Sequence, residues 1–223
     1  MTQFRFDIVG FDLDGTLLDT SGDLGAAVNH ALSLIGRDAV PIARVRDLVG
    51  GGARKMLSRA LDITGGQIAN DEFERLHAEL IAFYEANIAR HSALFPGGAQ
   101  MLDELAGQGV RLAVVTNKLE RLAVKLLDEL GLSSRFFAII GGDTLGPGKA
   151  KPAPDLLHEM IARAGGGRAA FVGDTTYDTR AAAAAGVPCV AVSFGFNDLP
   201  AHELGAAAVI DHYDELVGAL SRL

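Results

Sequence analysis

Two carboxylates stand two residues apart near the start of the chain, in the stretch 12–16 that reads Asp-Leu-Asp-Gly-Thr. The short, mostly apolar run 6–11 before them is typical of a buried strand in a parallel sheet. Ligands bind at the carboxyl ends of such strands, because loops and helix N-termini converge there. Alternate residues of an extended segment share a face, so Asp12 and Asp14 are expected to meet the same ligand. The pair indicates a catalytic pocket; the alternative is that the two acids only end a strand and begin a turn.

The same stretch has the D-x-D-G pattern of a calcium-binding EF-hand loop, but two features exclude that interpretation. Loop position six, where a glycine is required, is Leu17, and a strand is predicted before the loop. Gly15 serves a different need, because a residue without a side chain lets the backbone turn sharply after Asp14.

A hydroxyl and an amide, those of Thr116 and Asn117, follow the apolar run 111–115 and precede a predicted helix. They are expected at the carboxyl end of a second strand and at a helix N-terminus, where backbone N–H groups bind anions. Together with the two side chains, these groups predict a site for phosphate oxygens. Ordinary helix capping by the same residues is the alternative.

Lys151 is the candidate cation of the site, in the stretch 149–155 that reads Lys-Ala-Lys-Pro-Ala-Pro-Asp. Pro152 restricts the preceding lysine to an extended conformation, and Pro154 can begin a helix. An ammonium fixed in this way suits a phosphate group as a point charge. Lys149 is the competing candidate, and Lys151 is preferred for its adjoining proline.

Two more acids, Asp174 and Asp178, follow the apolar run 169–172. Asp174 is expected at the carboxyl end of a third strand. Magnesium is usually held by one or two carboxylates, with waters and phosphate oxygens completing its shell, so Asp12 and Asp174 predict a Mg²⁺ site. Asp178 stands at the next helix start, where it is expected to be either a cap or an outer ligand of the ion.

The elements that must position these residues fall into two groups. From residue 95 onwards helices alternate with short apolar strands, the pattern of a doubly wound, mostly parallel α/β sheet. The segment 20–90 has helical periodicity instead, beginning with a capping hydroxyl at Thr20. One apolar stripe in it consists of Phe73, Leu76, Leu80, Tyr84 and Ile88. The simplest organisation is an α/β catalytic core of residues 1–19 plus 91–223, with a helical cap domain, residues 20–90, inserted after the first strand.

Composition excludes several other classes of protein. The 223 residues are 49% hydrophobic, enough to bury a substantial core, and the formal charge of -8 argues against nucleic acid as a partner. No apolar run reaches the roughly 20 residues that span a bilayer, and a signal peptide's pattern is lacking, so no membrane association and a cytoplasmic location are expected. The single cysteine, Cys189, lies in an apolar run and is expected to be buried. Monomer and homodimer both remain open.

The order of these motifs resembles that of the haloacid dehalogenase superfamily of phosphatases. The motifs are Asp12 to Thr16, Thr116-Asn117, Lys151-Pro152, and Gly173-Asp174 with Asp178. Further stretches, at 49–52, 95–97, 116–118, 141–143 and 194–196, are similar to the phosphoglycolate phosphatase family. The resemblance spans nearly the whole chain. It implies Mg²⁺ as cofactor and a small phosphorylated metabolite, above all 2-phosphoglycolate, as substrate.

The resemblance and the residue chemistry imply the same reaction steps. Asp12 attacks phosphorus and becomes an aspartyl phosphate, which splits a difficult hydrolysis into two displacements. Asp14 donates a proton to the departing oxygen and then accepts one from the attacking water. Lys151 neutralises charge on the phosphoryl oxygens, together with Mg²⁺ and the groups of Thr116 and Asn117.

The resemblance also implies which residues touch the ion and the substrate. The predicted metal ligands are Asp12, Asp14, Asp174 and Asp178, with Asp14 acting through its backbone carbonyl. The predicted substrate-binding residues are Gly15, Thr16, Gly51, Gly52, Arg54, Lys55, Thr116 and Asn117. Arg54 and Lys55 follow a glycine triplet and are the candidates for touching the non-phosphate end of the substrate; a solvated helix start is the alternative.

Several other functions use similar residues. A sugar-phosphate phosphatase or a phosphomutase of the same superfamily would use the same set, and free phosphate measured against isomerised sugar phosphate separates the two activities. A dehalogenase or phosphonate hydrolase would not need the acid at Asp14. A signalling receiver domain has its nucleophile after a later strand and lacks a helical insert of this size. The complete set of acids and lysine argues against a non-catalytic phosphate-binding module.

Overall fold

A sheet of six parallel strands forms the centre of the molecule, in a computed structural model that describes residues 4–223. The strands of this part of the chain are β1 (Ile8–Phe11), β2 (Leu18–Asp19), β3 (Ala93–Leu94), β4 (Arg111–Val115), β5 (Ala138–Ile140), β6 (Ala169–Gly173), β7 (Cys189–Val192) and β8 (Ala208–Ile210). The sheet has the order β5-β4-β1-β6-β7-β8, and every neighbouring pair is parallel. The order runs outwards from β1 in both directions, as in a doubly wound fold, and the predicted fold class is confirmed.

Helices cover both faces of this sheet and fill the stretch between β2 and β3. They are α1 (Ser21–Ser33), α2 (Ile42–Val45), α3 (Ala53–Thr64), α4 (Asn70–Ala86), α5 (Gly98–Gly107), α6 (Glu120–Glu129), α7 (Asp155–Arg163), α8 (Thr176–Ala185) and α9 (Leu216–Ser221). Helices are needed on both faces because each strand of this sheet carries apolar side chains on both. Alternate side chains of β4, for example, belong to different apolar clusters. Leu112 and Val114 belong to the cluster that contains residues of α5, α6 and α9, whereas Ala113 and Val115 belong to the cluster that contains residues of α7 and α8. A strand buried on both faces has a continuous apolar sequence, as the run 111–115 does.

The helices α1 to α4 enter and leave the core through a short antiparallel ribbon. In this ribbon Leu18 of β2 lies opposite Leu94 of β3, and Asp19 lies opposite Ala93. The helical character of the segment agrees with the periodicity of the sequence, and α4 packs against α1. The cap domain boundaries after residues 19 and 90 stay predictions.

The start of α1 differs from the expectation that Thr20 caps it. Thr20 immediately precedes the helix, but its side chain makes no capping bond and instead donates to Asp14 Oδ1 at 2.8 Å. Asp23, in the first turn, is buried and accepts hydrogen bonds from the N–H and hydroxyl of Ser92, at 2.9 and 2.6 Å. A carboxylate is a stronger hydrogen-bond partner than a neutral group, so the Thr20 hydroxyl bonds to Asp14.

Two further observations concern the helices and the single cysteine. Within residues 4–223, every helix is too short or too polar to cross a membrane. Cys189 is buried in β7 as expected, and burial raises the pKa of its thiol. A neutral, buried thiol behaves as a small apolar group.

Candidate active site

Three strand ends bring predicted site residues to one edge of the sheet. Asp12 follows β1, Thr116 follows β4 and Asp174 follows β6. The strand register places Asp12 and Asp174 close to the same level of the sheet, because Phe11 of β1 lies opposite Val172 of β6. Stretches that are far apart in the sequence therefore meet around one point.

Asp12, Asp174 and Asp178 form a buried cluster of carboxylates. One oxygen of each lies within 4.8 Å of the corresponding oxygens of the other two. Burial raises the pKa of Asp174 well above its usual value, and the neighbouring carboxylates raise it further. Burial also raises the pKa of Asp12 to about 6, although the Lys151 ammonium opposes this shift. Acids held this close favour a cation among them.

The turn at Gly15 and Thr16 supports Asp174. Gly15 has a φ of +84°, and a Cβ at this position would clash with Asp174 Oδ2, so the turn requires glycine. Thr16 is fully buried and donates its hydroxyl hydrogen to Asp174 Oδ1 at 2.8 Å. The N–H of Phe196 donates to Oδ2 at 2.7 Å. The structure places Gly15 and Thr16 behind Asp174, and their contact with a substrate stays a prediction.

Asp178 caps α8, which is one of the two roles expected from the sequence. Its Oδ2 accepts hydrogen bonds from the Thr175 N–H at 2.9 Å and the Thr175 hydroxyl at 2.7 Å, within a capping box. Its Oδ1 accepts a hydrogen bond from Lys151 Nζ at 2.6 Å. Both oxygens therefore have protein donors, and ligation of a metal by Asp178 stays a prediction.

Lys151 is the lysine that meets the acids. It is 3% exposed, and its Nζ lies 2.9 Å from Asp12 Oδ1 and 2.6 Å from Asp178 Oδ1. It also donates to the last carbonyl of β4 at 2.9 Å. Burial alone would lower the pKa of this ammonium, but the two carboxylates raise it above its usual value, so the group stays charged. Lys149, the competing candidate, pairs instead with Asp155 near the surface.

Thr116 and Asn117 lie beside Lys151 where β4 ends. The Thr116 hydroxyl oxygen accepts a hydrogen bond from the Lys118 N–H at 3.2 Å, and the residue that precedes α6 is Leu119. The Asn117 side chain donates to the Lys151 carbonyl at 2.9 Å. Capping of α6, the alternative considered from the sequence, is therefore not the role of either side chain.

A second lysine, Lys118, binds the other predicted catalytic acid, Asp14. Its Nζ lies 2.8 Å from both Asp14 oxygens, and its side chain is 6% exposed. The ring of Tyr84 on α4 covers the ammonium, with Nζ 4.6 Å from the ring centroid. Burial would lower the pKa of Lys118, but Asp14 and Tyr84 raise it above its usual value. Burial raises the pKa of Tyr84 to about 12, so its hydroxyl keeps its proton.

The two acid and lysine pairs line one cavity of about 370 Å³ between the strand ends and the helices α1, α3 and α4. Its wall also includes six residues of the predicted substrate-binding set, which are Gly51, Gly52, Arg54, Lys55, Thr116 and Asn117. The guanidinium of Arg54 pairs with Glu74. The ammonium of Lys55 donates to the Tyr177 hydroxyl at 3.1 Å. Both cations lie at the cavity, and their contact with a substrate stays a prediction.

A family model described as haloacid dehalogenase-like hydrolase matches residues 9–192. The chain belongs to this family. A phosphoglycolate phosphatase of Agrobacterium fabrum is 41% identical to this hydrolase, over 94% of this chain and 90% of its own length. The crystal structure of a predicted phosphoglycolate phosphatase from Haemophilus somnus matches with a TM-score of 0.88 and 30% identity, over 98% of both chains. A mutant of CbbY from Rhodobacter sphaeroides, in complex with xylulose-(1,5)-bisphosphate, matches with a TM-score of 0.77 and 26% identity, over 96% of this chain and 99% of that one.

The hydrolase has buried oxygen atoms that need a partner, and most of them belong to the cavity. Among residues 4–223, four buried side-chain oxygens make no hydrogen bond, and three of them belong to Asp12, Tyr84 and Asn117 in the cavity wall. Buried polar groups normally have partners, so ordered water or a ligand is expected here. Asp12 Oδ1 lies near Lys151 without hydrogen-bond alignment, and one oxygen of Asp12 lies within 4.8 Å of an oxygen of Asp174. These hard oxygen donors fit a cation such as Mg²⁺.

Sequence reasoning missed two residues of the cavity, Lys118 and Tyr84. The sequence presents Tyr84 only as a member of the apolar stripe on α4, where a buried ring is expected. It presents Lys118 only as the neighbour of Thr116 and Asn117 in a run that resembles phosphoglycolate phosphatases. That adjacency was the available signal. The contact of Tyr84 with Lys118, which in turn binds Asp14, depends on how α4 packs over the strand ends, and periodicity does not predict it.

Proposed function

We propose that this hydrolase is a phosphatase that converts 2-phosphoglycolate into glycolate and phosphate, with Asp12 as the nucleophile and Mg²⁺ as the cofactor. The observation that carries the proposal is the single cavity in which Asp12 and Asp14 lie side by side, each paired with its own buried lysine. The similarity to phosphoglycolate phosphatases supports this choice of substrate.

The reaction proceeds through two displacements at phosphorus. In the first, an oxygen of Asp12 bonds to phosphorus, the bond from phosphorus to the glycolate oxygen breaks, and Asp14 gives that oxygen a proton. In the second, Asp14 takes a proton from water, the water oxygen bonds to phosphorus, and the bond to Asp12 breaks. Glycolate and phosphate are released, and both acids return to their starting states.

The charge that moves during these steps is balanced by groups fixed in the cavity. The Lys151 ammonium lies 2.9 Å from Asp12, so a phosphoryl group on that carboxylate comes within its reach. Asp12, Asp174 and the Asp14 carbonyl would hold Mg²⁺, with Asp178 behind them. When bound, the ion supplies positive charge beside the phosphoryl oxygens. The helices that close the cavity exclude bulk water.

A phosphate-release assay with Mg²⁺ tests the proposal, over 2-phosphoglycolate, sugar phosphates and nucleotides. The expected result is the highest kcat/KM for 2-phosphoglycolate. Acid quenching during turnover is expected to trap one phosphoryl group on the peptide that contains Asp12, and none in an Asp12→Asn variant. If no phosphate ester is cleaved, the proposal is wrong.

A sugar-phosphate phosphatase or a phosphomutase is the second candidate. The likeness to CbbY in complex with xylulose-(1,5)-bisphosphate favours it, and the cavity of about 370 Å³ leaves room for such a molecule. The same screen decides between the candidates, because a sugar phosphate would then give the highest kcat/KM. Isomerised sugar phosphate without free phosphate would indicate a mutase.

A further inference from the structure

The Asp14 end of the cavity holds hydrogen-bond donors that the two displacements do not use. The Lys118 ammonium has three N–H groups. Its Nζ donates to Asp14 Oδ1 and Oδ2, each at 2.8 Å. In the part of the chain that the structure describes, no hydrogen bond of good geometry uses the third N–H, although the Tyr84 hydroxyl is close enough to raise the pKa of the ammonium.

The Tyr84 hydroxyl is a second unused donor at the same place. Tyr84 is 2% exposed, and within residues 4–223 its hydroxyl has no hydrogen-bond partner. Its ring lies over the Lys118 ammonium, and both residues line the cavity. A buried donor without an acceptor destabilises a protein, so two of them side by side indicate a ligand that accepts hydrogen bonds. Beside a buried ammonium, an anion is the ligand of choice.

The proposed substrate carries such an anion next to its reacting atoms. In 2-phosphoglycolate a single CH₂ group separates the carboxylate from the oxygen that leaves phosphorus. Asp14 must lie within hydrogen-bond reach of that oxygen, roughly 2.6–3.2 Å, in order to protonate it. Lys118 Nζ is 2.8 Å from Asp14, so the carboxylate of the bound substrate comes close to the ammonium.

We propose that Lys118 and Tyr84 together bind the carboxylate of the leaving group, and that they select phosphate esters of 2-hydroxy carboxylic acids. This inference rests on the proposed function, because it assigns one part of that substrate to one part of the site. One carboxylate oxygen accepts a hydrogen bond from Lys118, and the other accepts one from Tyr84. The ammonium then lies between Asp14 and the carboxylate of the substrate, and its charge stabilises that carboxylate. An ester without a carboxylate leaves both donors unpaired, and a buried site discriminates against such a ligand.

The test compares two substrates that differ in that group alone. 2-Phosphoglycolate and 2-hydroxyethyl phosphate share the phosphoryl group and the O–CH₂ link, and the carboxylate of the first is CH₂OH in the second. The kcat/KM value is measured for both, with Mg²⁺ and the full chain, for the unaltered hydrolase, Lys118→Met and Tyr84→Phe. Lys149→Met is the matched control, because Lys149 pairs with Asp155 near the surface and lies outside the cavity wall.

The ratio of the two kcat/KM values isolates carboxylate binding, because a misplaced Asp14 lowers both values equally. Lys118→Met is expected to lower the ratio by about 100-fold, as expected for the loss of a buried charge pair. Tyr84→Phe is expected to lower it by about 15-fold, the effect of one hydrogen bond from a neutral donor to a charged acceptor. Lys149→Met leaves the ratio unchanged. Tyr84→Phe removes an oxygen that has no partner in the free protein, so this variant is expected to fold normally and keeps the test decisive if Lys118→Met does not fold.

Two contrary results separate this inference from the proposed function. If the unaltered hydrolase prefers 2-phosphoglycolate and the variants keep that preference, Lys118 only positions Asp14, and the carboxylate assignment is wrong while the proposed function stands. If the unaltered hydrolase does not prefer 2-phosphoglycolate over 2-hydroxyethyl phosphate, the proposed substrate is wrong, and the carboxylate assignment is overturned with it.

Discussion

Two buried lysines serve the two ends of one cavity, and they differ in how many oxygen-bearing groups of the protein lie within ion-pair or hydrogen-bond distance of the ammonium. Lys151 lies 2.9 Å from Asp12, 2.6 Å from Asp178 and 2.9 Å from a main-chain carbonyl oxygen. Among the residues that the structure describes, Lys118 donates to Asp14 alone. The phosphoryl end is thus assembled by the protein itself, whereas the leaving-group end is left for a ligand to complete.

This difference fits the chemistry that each end would perform. Charge develops on the phosphoryl oxygens in every substrate of a phosphatase, so a fixed ammonium is useful there and needs no rearrangement during the reaction. Leaving groups differ from one substrate to another. The unpaired donors of Lys118 and Tyr84 beside Asp14 therefore select between substrates, because their hydrogen-bond acceptor must come from the substrate that binds.

The largest expected effect comes from the nucleophile. Asp12→Asn is expected to lower kcat by at least about 10⁴-fold, because an amide does not form the aspartyl phosphate. The protein stays folded, and without metal its melting temperature is unchanged or higher, since a buried acid with a pKa of about 6 is replaced by a neutral group. Phosphate release and thermal unfolding are the measurements. Retained turnover would remove Asp12 as the nucleophile.

Removing the Lys151 ammonium from the phosphoryl end of the cavity is expected to lower both activity and stability. Lys151→Met leaves buried carboxylates without their cation, which lowers the free energy of unfolding by about 3–5 kcal/mol and kcat/KM by about 10²–10³-fold. Lys118→Met is expected to destabilise the protein less, because fewer protein groups depend on it.

Urea unfolding and phosphate release compare the two lysine variants, with Lys149→Met as the surface control. Equal destabilisation by Lys151→Met and Lys118→Met would contradict the distinction between the two ends.

Without the metal, the ionisation of Asp12 at the phosphoryl end is expected to make the free energy of unfolding depend on pH. The pKa of Asp12 is about 6 in the folded chain, against 3.8 for an unperturbed carboxyl. Between these two pKa values the folded state binds more protons than the unfolded state. The contribution of Asp12 to the free energy of unfolding is therefore fully present below about pH 4. About 3 kcal/mol of it is lost as the pH rises through 6. The raised pKa of Asp174 acts in the same direction. Mg²⁺ binds the ionised carboxylates and is expected to restore the loss.

Urea unfolding between about pH 4 and 8 measures this effect, with EDTA and with Mg²⁺. The difference in the free energy of unfolding between the unaltered hydrolase and Asp12→Asn isolates the contribution of this acid, because the other carboxylates titrate in both proteins. A difference that stays constant over this range, or one that Mg²⁺ does not change, would refute the assignment.

The smallest expected effect concerns the hydroxyl that holds Asp14. Thr20 donates to Asp14 Oδ1 at 2.8 Å, so Thr20→Val removes one of the bonds that orient this acid. The expected loss in kcat/KM is about fivefold, equivalent to about 1 kcal/mol for one hydrogen bond. Thr20→Ser keeps the hydroxyl and is expected to retain activity. A similar loss in both variants would show that the packing of the Thr20 side chain positions Asp14 as much as the hydrogen bond does.

The fold was predictable because a strand that is buried on both faces of a sheet has a continuous apolar sequence. The runs around Val9, Val114 and Val172 are continuous and apolar, and each ends at a polar residue of the site. The cluster of Asp12 and Asp174 followed from that position alone, since parallel strand ends share an edge.

Partner choice at the site was not predictable to the same degree. Thr20 was expected to cap a helix, and it binds Asp14 instead. Lys118 and Tyr84 carried no periodic signal of a shared role. The contacts of Thr20 and Lys118 join the helical segment and the loop after β4 to the turn at Asp14, and the contact of Tyr84 joins the helical segment to that loop. Local propensity does not determine such pairings, because they depend on how packed elements meet.

The β2 and β3 ribbon has a consequence for how such a protein can change. The helical segment, which contributes Tyr84, is one uninterrupted stretch of chain held between two paired strands, with Leu18 opposite Leu94. Asp12, Lys151 and Asp174 lie outside it. Exchanging that stretch for another of similar size would alter which alcohols are accepted while the hydrolytic machinery stays intact, so new specificities can arise by replacing a module rather than by rebuilding an enzyme.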